Sequence, residues 1–220
     1  MILFGSEILS SLMHLISASL LIPVIIVLLA FIIFAVLSLG GFITEKFSRT
    51  KFDVDKTEEL IRAISKSSSP EEMREKVENS QLLAGDKKVL LKIISNHDIG
   101  SHARKALSTK LIEEKELEFA NITQKTDIII RLGPTMGLMG TLIPLGPGLA
   151  ALGSGDINAL AQSLTIAFDT TVTGLAAGSI GFIISKYRKK WYADDLSILE
   201  AIVEATLEAL NKCQTRKENF

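Results

Sequence analysis

No Asp, Glu, Lys or Arg interrupts the chain from Ile8 to Thr44, and residues 15–44 are nearly all Leu, Ile, Val, Phe and Ala. A helix rises about 1.5 Å per residue and a bilayer's hydrocarbon core is about 30 Å thick, so a run of this length spans it even when tilted. The run has no basic segment before it, no convincing cleavage site, and far more length than a secretory signal needs, so it reads as an uncleaved anchor. Pro23 falls near its outer end, where a kink is tolerated. Gly40 and Gly41 permit close packing or a bend at the inner end.

Composition sharpens this. The 220 residues are 47% hydrophobic yet 22% charged, with a net charge of −1, so the charge must be segregated. Indeed Glu45–Arg131 is densely charged. An integral membrane protein with a large polar domain explains this division better than a soluble core does. The lone Cys213 excludes an internal disulfide, and with no nearby His it reads as inert rather than catalytic. The absence of a basic excess argues against nucleic acid as a ligand.

Two further apolar segments, rich in Gly, Ala, Ser and Thr, fill Leu132–Ser185 and are joined by a short polar link. Basic residues are retained on the cytoplasmic side. Lys46, Arg49, Lys51 and Lys56 follow the first span, and Lys186, Arg188, Lys189 and Lys190 follow the last, whereas residues 1–14 and the link contain no Lys or Arg. The expected layout is therefore an outer segment 1–14, a first span 15–44, a cytoplasmic helical domain 45–128, a second span 129–152, an outer loop 153–158, a third span 159–185 and a cytoplasmic helix 186–220. This is an all-α integral membrane protein of the cytoplasmic membrane, with three transmembrane helices and long cytoplasmic helical extensions, N-terminus outside and C-terminus inside.

The polar region reads as helices. Ser69-Pro70-Glu71-Glu72 combines a capping Ser, Pro at the first helical position and Glu at the third. Val89, Leu90, Ile93 and Ile94 recur at helical spacing, as do Leu107, Leu111 and Leu117 or Glu118. No turn signal separates the latter from the second span, which predicts one long helix bent near Gly133 and Pro134. After Ser185, Leu196, Leu199, Ile202, Val203, Leu207 and Leu210 mark an amphipathic helix that packs on the cytoplasmic domain in a monomer or on its copies in an oligomer.

Enzyme signatures are poor. Gly133, Gly137 and Gly140 lack the Gly-Lys-Ser/Thr ending of a phosphate loop, and they serve helix packing more readily. His14, His97 and His102 are not spaced with carboxylates as metal ligands, so neither metal nor cofactor is expected. Asn121-Ile122-Thr123 matches a glycosylation acceptor, unused on the cytoplasmic side.

At about 100° per residue, Ser163, Ala167, Thr171, Gly174 and Gly178 gather on one face of the third span, a small-residue seam for close helix approach. Asn158, Gln162, Thr165, Asp169 and Thr173 gather nearly opposite. Such a stripe must face protein or water, and an intramembrane acid is a functional hypothesis by default. Asp169 and Thr173 are thus candidate ion-path residues, and Gly137, Gly140, Gly174 and Gly178 candidate packing residues.

The run GPTMGLMGTLIPL, a short loop, then AFDTTVTGLAAGSIGFIIS resembles the signature region of the MotA/TolQ/ExbB proton-channel family. The three-span layout is similar to its TolQ and ExbB branch rather than to four-span MotA. The resemblance implies that Thr141 and Thr171 line a polar pathway, and that the chain forms a homopentameric ring around the transmembrane helices of a dimeric, single-span ExbD- or TolR-like partner. That partner supplies the aspartate that is protonated and released. Family members of this branch carry an acid at the position of Ile166; Asp169, three residues further in, would take over its task. The expected function is an ion-driven motor subunit, with proton rather than sodium as the first choice and without enzymatic activity. A scaffold that assembles without moving ions is the alternative, and a secondary transporter is disfavoured because no internal repeat or broken helix is evident.

Overall fold

In the computed structural model, which describes residues 2–49 and 54–218, the described residues form helices and no strand. They are α1 (Ile2–Ser19), α2 (Leu21–Ser48), α3 (Val54–Ser65), α4 (Pro70–Asn79), α5 (Ala84–Ser95), α6 (Ser101–Gly153) and α7 (Ile157–Glu218). Lys51, one of the basic residues expected beside the first span, lies outside the described residues. Three helical stretches are long and apolar enough to cross a membrane: Glu7–Ser48, Ser101–Gly153 and Ile157–Arg216. The chain divides into two compact units, one of residues 1–48 with 123–187 and one of residues 49–122 with 188–220.

In the first unit, Pro23 has a visible consequence. It has no N–H to give Ser19, and its ring crowds that carbonyl. The helix is interrupted at Leu20, with α1 ending at Ser19 and α2 starting at Leu21 inside the expected 15–44 span. The neighbouring bonds survive, since Leu20 N–H donates to Ile16 O at 3.2 Å and Val24 N–H to Leu20 O at 3.0 Å. One line of α2, Val24, Leu28, Ala35 and Phe42, is buried, and Ala35 packs with Ile129 of α6 and Ala177 of α7. Ile22, Ile26, Leu29, Ile33 and Leu37 stay exposed, a surface suited to lipid.

The α6–α7 hairpin is closed by a compact turn. Gly155, at φ +82°, takes the left-handed conformation that glycine adopts without strain. Its N–H donates to Leu152 O at 3.0 Å and that of Asp156 to Ala151 O at 2.9 Å, the paired bonds of a Schellman cap. Asp156 then caps α7, its carboxylate accepting from Ala159 N–H at 3.0 Å.

Below this turn the two helices meet backbone to backbone. A Cβ placed on Gly174 would lie 2.5 Å from Gly133 O and 3.0 Å from Gly137 Cα, and one on Gly133 would lie 2.8 Å from Gly174 O. Contact with α6 recurs along α7 at Ser163, Thr170, Gly174, Gly178 and Gly181. The partners are Gly148, Gly140, Gly137, Pro134 and Ile130, each step up one helix matched by a step down the other. Such proximity yields dispersion contacts that larger side chains would forbid.

The second unit has a core of its own. Leu60 and Ile64 of α3, Met73 and Val77 of α4, and Val89, Leu90, Ile93 and Ile94 of α5 pack with Leu111 of α6 and with Leu199, Ile202, Val203 and Leu210 of α7. The amphipathic C-terminal stretch therefore packs on this domain, and Leu107 joins from the edge. Leu117 does not: it is 58% exposed. The expected start of α4 is present, with Ser69 Oγ accepting from Glu72 N–H at 3.2 Å and Glu72 Oε2 accepting from Ser68 N–H at 2.8 Å.

Two cations are taken into this unit. Arg104 is fully buried and donates to His97 O at 2.8 Å, Asn211 Oδ1 at 2.6 Å and Gln214 Oε1 at 2.8 Å, while its Nε has no partner. Burial pushes its pKa down. Arg49 pairs with Asp195, donates to Trp191 O at 3.3 Å and lies 5.2 Å from the Trp191 ring centre. Burial raises the Asp195 carboxyl, against the opposing pull of Arg49. Asp86, 5% exposed, is pushed up to about 6 by burial, with Lys115 and Arg49 pulling down and Asp195 and Glu118 pushing up.

Two outcomes are expected. Alanine at Gly174 forces the helices apart and lowers the unfolding free energy in detergent by about 1–3 kcal/mol, whereas alanine at Gly146, where nothing lies within 4 Å, has no such effect; an unchanged melting temperature for Gly174→Ala contradicts the close approach. Because the folded pKa of Asp86 exceeds its unfolded value, the native state holds the extra proton and stability falls as pH rises from about 4 to about 6. Asp86→Asn removes that decline, so its stability gain over wild type, read by urea unfolding, is larger at pH 7 than at pH 4.

Candidate functional ion path

The seam fixes where each polar side chain of the hairpin can go. Gly137, Gly140, Gly174 and Gly178 all lie in it, and all four are buried. Two adjacent threonines of α7 flank its midline, and the structure separates them. Thr170 is 6% exposed and fills the hollow left by Gly140, where a Cβ would lie 2.5 Å from Thr170 Cβ. Thr171 is only half-buried; its Cα lies 3.4 Å from a Cβ built on Gly137. Helical spacing had grouped Thr171 with the seam and left Thr170 unassigned. What decides between them is the missing side chain at Gly140, which no reading of α7 alone reveals.

Thr141 follows Gly140 directly and is half-buried. Its Oγ1 donates to Leu138 O at 2.7 Å, and Thr171 Oγ1 donates to Ala167 O at 3.0 Å. Each hydroxyl proton is thus committed to its own helix, while the oxygen can accept a hydrogen bond from a protonated group. The two threonines stand at similar depth, since Gly140 packs on Thr170 and Gly137 beside Thr171.

The other polar stripe lies on the side of α7 turned away from α6. Asn158, Gln162, Thr165 and Asp169 are exposed and Thr173 is half-buried. Thr165 Oγ1 donates to Ala161 O at 3.0 Å and Thr173 Oγ1 to Asp169 O at 2.7 Å. The Asp169 carboxylate is therefore not brought together with Thr141 and Thr171. Ile166, one turn nearer the α6–α7 turn, is 37% exposed.

At the end of the seam away from the α6–α7 turn the structure joins two residues that had not been paired from sequence. Ser185 Oγ, on α7, donates to Asp127 Oδ1, on α6, at 2.6 Å. Thr126, 2% exposed, lies beside Asp127, and its Oγ1 donates to Thr123 O at 2.7 Å. Only the spacing of two small polar residues at the ends of two spans hinted at this. Among the described residues no three His, Cys, Asp or Glu side chains converge as metal ligands.

The hairpin thus combines backbone-close helices with half-buried threonines at matched depth and an apolar helix beside them. No curated protein matches this chain closely. A family model for the MotA/TolQ/ExbB proton channel family matches residues 39–201, a stretch that takes in the last ten residues of α2, the whole hairpin and most of the second unit. That family is one of proton channels rather than of enzymes, and with its three apolar helices the chain is a multi-pass membrane protein. On this match, the chain belongs to the MotA/TolQ/ExbB proton channel family.

Proposed function

We propose that this chain is the ring subunit of a proton-driven motor of the cytoplasmic membrane, closer to TolQ and ExbB than to MotA, with its N-terminus outside and C-terminus inside. A homopentamer encloses the transmembrane helices of a dimeric, single-span ExbD- or TolR-like partner, and proton flow moves that partner. The observation that carries this reading is the splitting of the paired threonines. Thr170 is sealed against Gly140, while Thr171 keeps part of its surface beside Gly137 at the depth of Thr141.

The chemistry follows from what threonine offers. With its proton committed to a backbone carbonyl, a threonine oxygen accepts from the carboxylic acid of a protonated partner aspartate, which stabilises the neutral form in the apolar layer. Each proton moving down a membrane potential of about 100 mV releases about 2.3 kcal/mol, enough to bias a step of the partner. Asp169 and Thr173, on the exposed stripe of α7, serve the outer approach to that site. Thr173 holds its hydroxyl on the Asp169 carbonyl and leaves the carboxylate turned outward.

Thr141→Val and Thr171→Val are each expected to lower coupled proton flux in proteoliposomes about tenfold, the equivalent of one lost hydrogen bond between neutral groups, with the assembled mass unchanged. Thr170→Val is expected to lower thermal stability instead. Wild-type flux in both pore variants would sink the assignment. For Asp169→Asn, reduced flux or a shifted pH dependence supports the approach role; dissociation of the ring without either shows a packing role.

A further inference from the structure

The hairpin holds a second acid that the threonine site does not use. In α6 and α7, Thr135, Thr141, Thr165, Thr170, Thr171 and Thr173 each donate their hydroxyl to a carbonyl of their own helix. That is the default for a hydroxyl in an apolar helix, because it satisfies the proton locally. Ser185 departs from it. Buried to 3% exposure, it donates across the hairpin to Asp127 Oδ1 at 2.6 Å.

The position of this pair is as informative as its bond. Asp127 precedes Thr141, and Ser185 follows Thr171, by the same fourteen residues. Fourteen residues are about four helical turns, so each lies within about 40° of its threonine's direction and about 21 Å further toward the inner end. Between those levels neither helix carries another carboxylate. The seam also ends here: Gly181, whose added Cβ would meet Thr126 O and Ile130 Cγ1 at 3.4 Å, is the last glycine of α7. Asp127 is half-buried rather than sealed. Within four residues of the pair along the chain stand the cations Lys125 and Arg131 on α6 and Lys186, Arg188 and Lys189 on α7, and Glu45 and Lys46 lie near the end of α2.

We propose that Asp127, positioned by Ser185, is a proton-binding station at the inner end of the path, where a proton that has left the threonine level is held before release to cytoplasmic water. The inference rests on the ion-path reading above. An incoming proton adds to the Asp127 carboxylate and gives the neutral acid; transfer to water yields hydronium and restores the carboxylate. The Ser185 bond favours the ionised form and so promotes release, and the flanking cations act in the same direction.

The test uses the assembled complex in proteoliposomes, with voltage-driven proton uptake followed as internal pH is varied. Asp127→Asn keeps an amide oxygen for Ser185 but cannot bind the proton in transit. Its flux is expected to fall about a hundredfold, the lower range for a positioned proton-transfer group, with assembled mass and melting temperature unchanged and with partial recovery in Asp127→Glu. Ser185→Ala is expected to move the internal pH of half-maximal flux upward, a shift that a purely structural clasp would not produce. Wild-type flux in Asp127→Asn, or a loss that appears only with loss of assembly, overturns the proposal. If Thr171→Val lowers flux while Asp127→Asn does not, the station fails and the threonine path stands; if neither lowers it, the path itself fails.

Discussion

Everything in the membrane unit depends on the backbone contact between α6 and α7. Lipid chains are as apolar as leucine, so two spans gain nothing from burying apolar surface against each other; they gain from close packing. Gly133 and Gly137 facing Gly174 and Gly178, with Gly140 facing Thr170, provide it, at separations that leave no room for a single added carbon at the tightest points. The consequence is lateral. Side chains that cannot enter the seam are pushed to its edges, which puts Thr171 half in the open, lodges Thr170 in the hollow at Gly140 and, where the seam ends, allows a serine to reach across to an acid.

The second unit is held by different forces. Its apolar core is ordinary, but it also takes in two guanidinium groups, and the way they are satisfied differs. Arg49 meets an anion, Asp195, together with an aromatic face. Arg104 meets only neutral oxygens from His97, Asn211 and Gln214. A buried cation without a counter-ion is costly unless its hydrogen bonds are good. Arg104 therefore ties the start of α6 to the end of α7 with a directionality that leucine contacts lack.

Much of this was legible in the residues, for reasons that can be named. The charge-free run and the flanking lysines declare spans because hydrocarbon tolerates neither charge nor open backbone. Ser69-Pro70-Glu71-Glu72 announces a helix start because its bonds are local. The glycine seam is visible because its spacing follows the helical period. What escaped has a common cause: it depends on the partner helix. Thr170 and Thr171 sit symmetrically about the seam, and only the missing side chain at Gly140 breaks the tie. Asp127 and Ser185 are far apart in the chain and meet only because the hairpin register brings them level. Leu117 fits the period of its helix yet faces outward, since period gives a face and not a neighbour. Pro23 advertised a kink, but its effect, a break at Leu20, is set by which carbonyl it leaves unpaired.

The central claim is that the hairpin, assembled around a single-span partner, moves protons. The most direct measurement is proton uptake into liposomes that contain this chain co-expressed with a single-span ExbD- or TolR-like protein, followed by an internal pH dye under an imposed potential, negative inside, in sodium-free buffer. The account predicts internal acidification that needs both proteins and follows the potential. Acidification no greater than in protein-free liposomes would contradict it.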